Sequence, residues 1–240
     1  IKPPKGGLSA PDSTLNCGNS GTVARIMTAI AACFDEEITI DGDESLRSRE
    51  CPELAFALRE LDVEVSSTNL PCTVRGPISG GEISLEMGRS SQPLTALILA
   101  SPKFSEEVVI DCNGESVSTG YLEITGLAAG IFGSPITKTN DKISINSFDP
   151  SGPESLGIPP ELSLYPMGIL CAELHHELDV QMEIYPYDQS MIVSFDQLTN
   201  LEGGELNLQN ASDIISPAAA YLALKNGGRI TGVAHARGKE

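Results

Sequence analysis

The chain has no tryptophan, and Phe, Tyr and Trp together make up only 5% of its 240 residues. Its core must be filled by Ala, Ile, Leu and Val, which suits a soluble α/β protein. Basic residues are also scarce. Fifteen Lys plus Arg stand against 33 Asp plus Glu, a formal net charge of −18. Such a field repels nucleic acid and anionic membrane surfaces, so neither is expected as a partner. It is expected to reflect a salty host cytoplasm. No apolar run approaches the ~18 residues of a transmembrane helix. No secretory signal pattern opens the chain. The six cysteines, Cys17, Cys33, Cys51, Cys72, Cys112 and Cys171, form no C-x-x-C pair. They read as reduced thiols of a cytoplasmic protein, with no disulfide or zinc framework. The length allows a substantial core in one or two domains.

Against this background the stretch Leu15-Asn-Cys-Gly-Asn-Ser-Gly-Thr-Val-Ala-Arg25 stands out. A small-residue turn runs straight into a helix. Val23, Ile26, Met27, Ile30, Ala31 and Phe34 recur with the spacing of one apolar helical stripe, predicting a helix over 19–34. Asn19 or Ser20 can cap it, and Gly18 and Gly21 free the backbone. The unpaired N–H groups of such a helix start favour a phosphate or carboxylate. An ordinary capped helix would explain this stretch alone. What shifts the balance is the strand ending at Gly42 and the segment after it. That segment holds Arg47 and Arg49, two bidentate anion binders in a chain poor in cations.

Further on, Pro52 opens a helix with Leu54, Leu58 and Leu61 on one face. Val63–Val65 and Cys72–Val74 form a hairpin. The plan then recurs about 70 residues later. Gly18 and Ser20 match Gly88 and Ser90; Ile40-Asp41 matches Ile110-Asp111; Glu44-Ser45 has its echo in Glu115-Ser116. The second copy predicts a helix over 91–100, a strand over 108–110, a helix over 121–132 and a hairpin over 136–145 with Asn140-Asp141 at its turn. Such repetition constrains the fold more than any single element. Phe148-Asp-Pro-Ser-Gly-Pro-Glu154 is a turn-rich break. Beyond it we expect helices over 161–176 and 213–226, and strands over 180–184, 206–208 and 229–232.

Cys17-Gly-Asn-Ser-Gly-Thr22 with Arg25, followed by Gly42-Asp-Glu-Ser-Leu-Arg-Ser-Arg49, resembles the 5-enolpyruvylshikimate-3-phosphate synthases, within the enolpyruvyl transferases. Gly88-Arg-Ser-Ser-Gln-Pro93, Ser116-Val-Ser-Thr-Gly-Tyr121, Asp213 in Asn210-Ala-Ser-Asp-Ile214, and Lys239-Glu240 extend the resemblance along most of the chain. It implies an α/β fold of repeated βαβαββ units in a two-lobe, inside-out α/β barrel, incomplete here at both ends. Residues 1–155 would form the first lobe and 156–240 the start of the second. Members of that family are longer, so this chain is expected to be an internal piece that does not turn over alone.

The implied reaction transfers the enolpyruvyl group of phosphoenolpyruvate to the 5-hydroxyl of 3-phosphoshikimate. Asn19, Gly21, Arg49 and Gln92 would hold phosphoenolpyruvate, with Gln92 between the two substrates. Ser90, Ser91, Gln92, Ser118, Tyr121, Asp213 and Lys239 would hold 3-phosphoshikimate. Asp213 and Glu240 would move protons. No metal or organic cofactor is implied, and the intact protein is expected to be a cytoplasmic monomer.

The sequence departs from the pattern in places. Glu50 stands where a Pro is common. Glu161-Leu-Ser-Leu-Tyr165 stands where Asp-x-Ser-Ser-Ala is usual, which puts a role for Glu161 in doubt. His175-His-Glu177 reads as surface helix rather than a metal site. The nearest rival is the UDP-N-acetylglucosamine enolpyruvyl transferase. It usually carries Cys five residues before the arginine aligned with Arg49, where this chain has Glu44. A rival of another class is a non-catalytic binding or scaffold protein of the same fold.

Overall fold

A computed structural model describes residues 6–139, 142–158, 164–181, 194, 197–198, 200, 204–225 and 227–238. The chain divides into two compact units. The first comprises residues 1–87, 92–115 and 128–152; the second comprises 88–91, 116–127 and 153–240.

The first unit holds two four-stranded sheets of identical plan. In chain order its elements are β1 (Leu15–Asn16), α1 (Gly21–Ala31), β2 (Ile38–Asp41), the single-turn α2 (Glu44–Arg47), α3 (Pro52–Glu60), β3 (Glu64–Val65) and β4 (Cys72–Arg75). Then come β5 (Gly81–Glu86), α4 (Gln92–Ala100), β6 (Val108–Asn113), α5 (Thr119–Ile131), which begins in the second unit, β7 (Thr137–Thr139) and β8 (Lys142–Ile145). One sheet runs β1-β2-β4-β3, the other β5-β6-β8-β7. In each, the first pair is parallel and the other two are antiparallel. This is the βαβαββ unit twice over.

The burial pattern follows from that plan. Strands alternate, with Ile38 and Ile40 inward on β2, Cys72 and Val74 on β4, and Ile83 and Leu85 on β5. Each sheet therefore keeps one solvent face. Helix α4 is buried nearly all round, at Pro93, Leu94, Ala96, Leu97, Ile98 and Ala100. It packs closely on α1, and both touch α3. A helix without a polar face belongs inside.

The predicted face of α3 is inward as expected, with Leu54, Leu58 and Leu61 buried. The stripe predicted for α1 is displaced. Its buried residues are Ala24, Ala29 and Ala31, whereas Val23 is exposed. The tight approach of α1 to α4 selects small side chains over large ones. Besides the two-residue β1, two elements were not anticipated. Helix α2 is one turn capped by Asp43, whose Oδ1 accepts from Leu46 N at 2.8 Å. Strand β5 lies in a segment of Ile78-Ser-Gly-Gly-Glu character at its start, which reads as loop.

In the second unit, α6 (Tyr165–Leu174) packs on α7 (Ile215–Leu224). Strands β9 (Glu205–Asn207) and β10 (Arg229–Thr231) pair in parallel, Leu206 opposite Ile230. Leu198, Leu206, Leu208, Ile214, Ala218 and Leu222 form its core. Helix α6 ends at Leu174, so His175 and His176 lie in the turn beyond it, exposed. Residues 180 and 181 are not in a strand. The rest of the strand expected over 180–184, the turn Asn140-Asp141 and Glu161 lie outside the described residues.

Candidate functional site

Every described residue expected at the site follows the C-terminal end of a strand in a parallel pair, or opens the helix that follows. Asn19 and Gly21 follow β1, and Arg49 follows β2. Ser90, Ser91 and Gln92 follow β5, Ser118 and Tyr121 follow β6, and Asp213 follows β9. Strand-to-helix loops at the carboxyl ends of parallel strands are where α/β sheets bind ligands.

In the first unit these loops build one polar cluster. Ser20 caps α1, its Oγ accepting from Val23 N at 3.2 Å. Gly18 takes a left-handed φ of 58°, and its carbonyl accepts from Asp43 N at 2.8 Å, tying the loop after β1 to the loop after β2. Gly21 has no left-handed φ, and its missing side chain leaves room for the Arg25 guanidinium. A Cβ there would stand 2.9 Å from Arg25 Nη1. The Arg25 guanidinium thus folds back over the first turn of its own helix. It donates to Gln92 Oε1, and Gln92 Nε2 donates to Thr22 Oγ1 at 3.0 Å. Arg49 Nη2 donates to Asn19 Oδ1 at 3.0 Å and to Ser45 Oγ at 3.1 Å.

Arg25 and Arg49 line one cleft with Gly21, Cys51, Thr68 and Asn69. Burial pushes the Cys51 thiol up, against the opposing charge and hydrogen bond of Arg25. Arg47 is spent elsewhere. Its Nε and Nη2 grip the Asp41 carboxylate at 2.8 and 2.6 Å. That hydrogen bond, together with one from Gly42 N, holds the Asp41 carboxyl below its ordinary range.

The second unit holds the hydroxyl-bearing residues. Ser91 is 3% exposed and Ser90 is half-buried. Ser118 is 4% exposed, has a φ of 55°, and its Oγ has no hydrogen-bond partner among the described residues. A serine in the left-handed region with a buried, unpartnered hydroxyl carries two costs at once. Such costs collect at ligand sites. Tyr121 opens toward solvent on the first turn of α5, its N–H donating to Ser118 O at 3.2 Å. Asp213 is exposed in the 3₁₀ turn that leads into α7, between buried Ser212 and Ile214. Lys239 and Glu240 lie outside the described residues.

Arg25 is the residue that sequence reasoning left without a role. Its signal was present, four residues after Gly21 on the same helical face. Among the described residues no three His, Cys, Asp or Glu are grouped to hold a metal, and no helix is long and apolar enough to cross a membrane. All six cysteines are free thiols.

The architecture and these loops define an α/β protein of the repeated βαβαββ class. A solved EPSP synthase from Acinetobacter baumannii shares this fold. It aligns with a TM-score of 0.69 at 19% identity, covering 96% of this chain and 59% of that one. The family model for EPSP synthase (3-phosphoshikimate 1-carboxyvinyltransferase) matches residues 1–163, and the chain belongs to that family. A 3-phosphoshikimate 1-carboxyvinyltransferase of Halobacterium salinarum is 30% identical, with 96% of this chain and 60% of the relative covered. One from Halorubrum lacusprofundi is 39% identical, over 55% of this chain and 30% of the relative. The chain therefore spans about 60% of the length of that Halobacterium salinarum relative.

Proposed function

We propose that this chain carries much of the active site of an enzyme that transfers the enolpyruvyl group of phosphoenolpyruvate to the 5-hydroxyl of 3-phosphoshikimate, releasing phosphate. The observation that carries the reading is the polar cluster of Gly21, Arg25, Gln92, Arg49 and Asn19, set within the family-matched residues. Phosphoenolpyruvate carries a carboxylate and a phosphate, and a chain of net charge −18 can hold it only at such a local concentration of guanidinium groups.

Asn19, Gly21 and Arg49 bind phosphoenolpyruvate, and Gln92 touches both substrates. Ser90, Ser91, Ser118, Tyr121 and Lys239 bind 3-phosphoshikimate. Asp213 lies near a shikimate hydroxyl and, with Glu240, serves proton transfer. The chemistry needs an acid to protonate the methylene carbon of the donor and a base to take the proton of the attacking hydroxyl. Cations offset the charge on both anionic substrates. Residues 1–155 belong to a first lobe and 156–240 to a second, and the protein works in the cytoplasm as a monomer.

The test is complementation. The reading frame that encodes this sequence, expressed in a strain lacking the shikimate enolpyruvyl transfer step, restores growth without aromatic amino acids. The same frame carrying Arg49→Ala does not. Failure of the unmodified frame, with the protein shown to accumulate, would overturn the reading.

A further inference from the structure

We propose that Arg25 is a positioning residue, which fixes the amide of Gln92 so that its oxygen faces the α1 helix and its NH₂ group is presented as the donor side. This inference rests on the reading of Gln92 as a substrate-binding residue. An arginine side chain has five donors and no acceptor, so the Gln92 oxygen must be the atom that meets it. Gln92 Nε2 then donates to Thr22 Oγ1 at 3.0 Å, a hydroxyl that can serve either orientation and so follows the one Arg25 sets. The guanidinium is itself seated over Gly21, in the cleft it lines with Cys51. The bond joins the start of α4 to the first turns of α1, 67 residues apart in the chain. An amide free to flip would offer a substrate anion its oxygen half the time. An anion accepts hydrogen bonds, so only the donor orientation binds it.

The experiment uses the purified 240-residue chain labelled with ¹⁵N, in two arms. Without ligand, the Gln92 side-chain amide pair is identified by its loss in Gln92→Leu. Arg25→Lys is expected to shift and broaden that pair while leaving most backbone signals in place. Gly21→Ala keeps both Arg25 and Gln92 but puts a methyl against Arg25 Nη1, and is expected to do the same. Should Arg25→Lys disturb the whole spectrum, Gly21→Ala decides alone. An unchanged Gln92 amide in a folded variant overturns the proposal.

With phosphoenolpyruvate as the titrant, Arg25→Lys is expected to weaken binding about twofold in the parent chain, the loss set by an amide that is competent half the time. It should have no further effect in Gln92→Leu, since one residue acts through the other. An equal loss in both backgrounds would mean that Arg25 contacts the ligand directly, and would also overturn the proposal. No binding of phosphoenolpyruvate by the unmodified chain would count against the substrate reading instead. The ligand-free arm would still decide whether Arg25 positions Gln92.

Discussion

The two βαβαββ copies share one topology and carry opposite chemistry. In the first copy, the loops after β1 and β2 supply Arg49 and Asn19, joined to each other, and α1 supplies Arg25. In the second, the loops after β5 and β6 supply Ser90, Ser91 and Ser118, with Tyr121 opening α5. The first copy is stocked with cations held by neighbouring side chains. The second is stocked with hydroxyls, one of them buried without a partner among the described residues. A duplicated scaffold thus has one set of positions for ligand groups, and substitution at those positions sets what each copy can hold. In our reading these are a small donor with a carboxylate and a phosphate, and a phosphorylated polyol.

The largest test of that contrast is Arg49→Lys. Lysine keeps the charge but loses the planar fork. Losing one charge-assisted bond costs roughly 1.5–3 kcal/mol, about 10- to 150-fold in affinity. Calorimetry should show that loss for phosphoenolpyruvate and almost none for 3-phosphoshikimate. Arg47→Lys is the control, because its guanidinium is already committed to Asp41. It should leave phosphoenolpyruvate affinity nearly unchanged. If Arg47→Lys did the greater harm, the register of this loop would be wrong by two residues.

Ser118→Ala probes the second copy and separates stability from binding. Removing a buried hydroxyl that lacks a partner should stabilise the ligand-free chain by about 1 kcal/mol, read as a higher midpoint in urea. The same change should weaken 3-phosphoshikimate by roughly tenfold, the worth of one hydrogen bond to a charged phosphate. A variant that lost stability instead would show that the hydroxyl is satisfied in solution, and only the cost of the left-handed φ would remain at this residue.

Where the two copies meet, Cys33 offers an effect confined to high pH. Its thiol, at the end of α1, donates to Ala29 O at 3.5 Å and to Ala100 O, at the end of α4, at 3.7 Å. Burial pushes it up to about 12, with Lys103 opposing only in part. The raised value means that stability is intact below the unfolded thiol's pKa, near 8.5. It falls as pH rises toward the folded value, because the unfolded chain releases its proton first. The loss should be at most about 1.4 kcal/mol per pH unit over that window. Cys33→Ala should remove it, so the difference in urea midpoint between parent and variant should change steadily above pH 9 and be flat below. Thiol labelling should also reach exposed Cys171 well before Cys33.

Much of this was legible in the sequence, for reasons that particular residues make plain. The offset of about 70 is reproduced by the strand pairs themselves. β4 begins at Cys72 and β8 at Lys142; β2 begins at Ile38 and β6 at Val108. The helix start at Ser20 and the face of α3 followed from capping and periodicity. Three of the things that did not follow show why. The burial of α1 depends on how near α4 comes, which is a property of the packed pair and not of either helix. Helix α2 is too short for periodicity, and only its Asp43 cap betrays it. The role of Arg25 depends on Gln92, a residue far off in the chain, and on the missing Cβ of Gly21. Local pattern finds loops and helix starts, but the bond that joins two of them is a tertiary fact.

Salt gives the smallest effect and sets the acidic surface against the cationic loops. A net charge of −18 repels itself in the folded state, and added salt screens that repulsion. Raising the salt from about 0.01 M to 1 M shortens the Debye length from roughly 30 Å to 3 Å. The urea midpoint should therefore rise with salt. The same screening should weaken the attraction of the Arg25 and Arg49 loops for phosphoenolpyruvate, so affinity should fall while stability rises. Sodium chloride is the right titrant, because sulfate and phosphate would also compete for the anion site. A midpoint indifferent to salt would mean that the acidic residues are spaced widely enough not to repel, and that the acidity is no adaptation to a salty cytoplasm. An affinity indifferent to salt would mean that the arginines act through short hydrogen bonds rather than through their field. The contrast between the copies would then be one of geometry more than of charge.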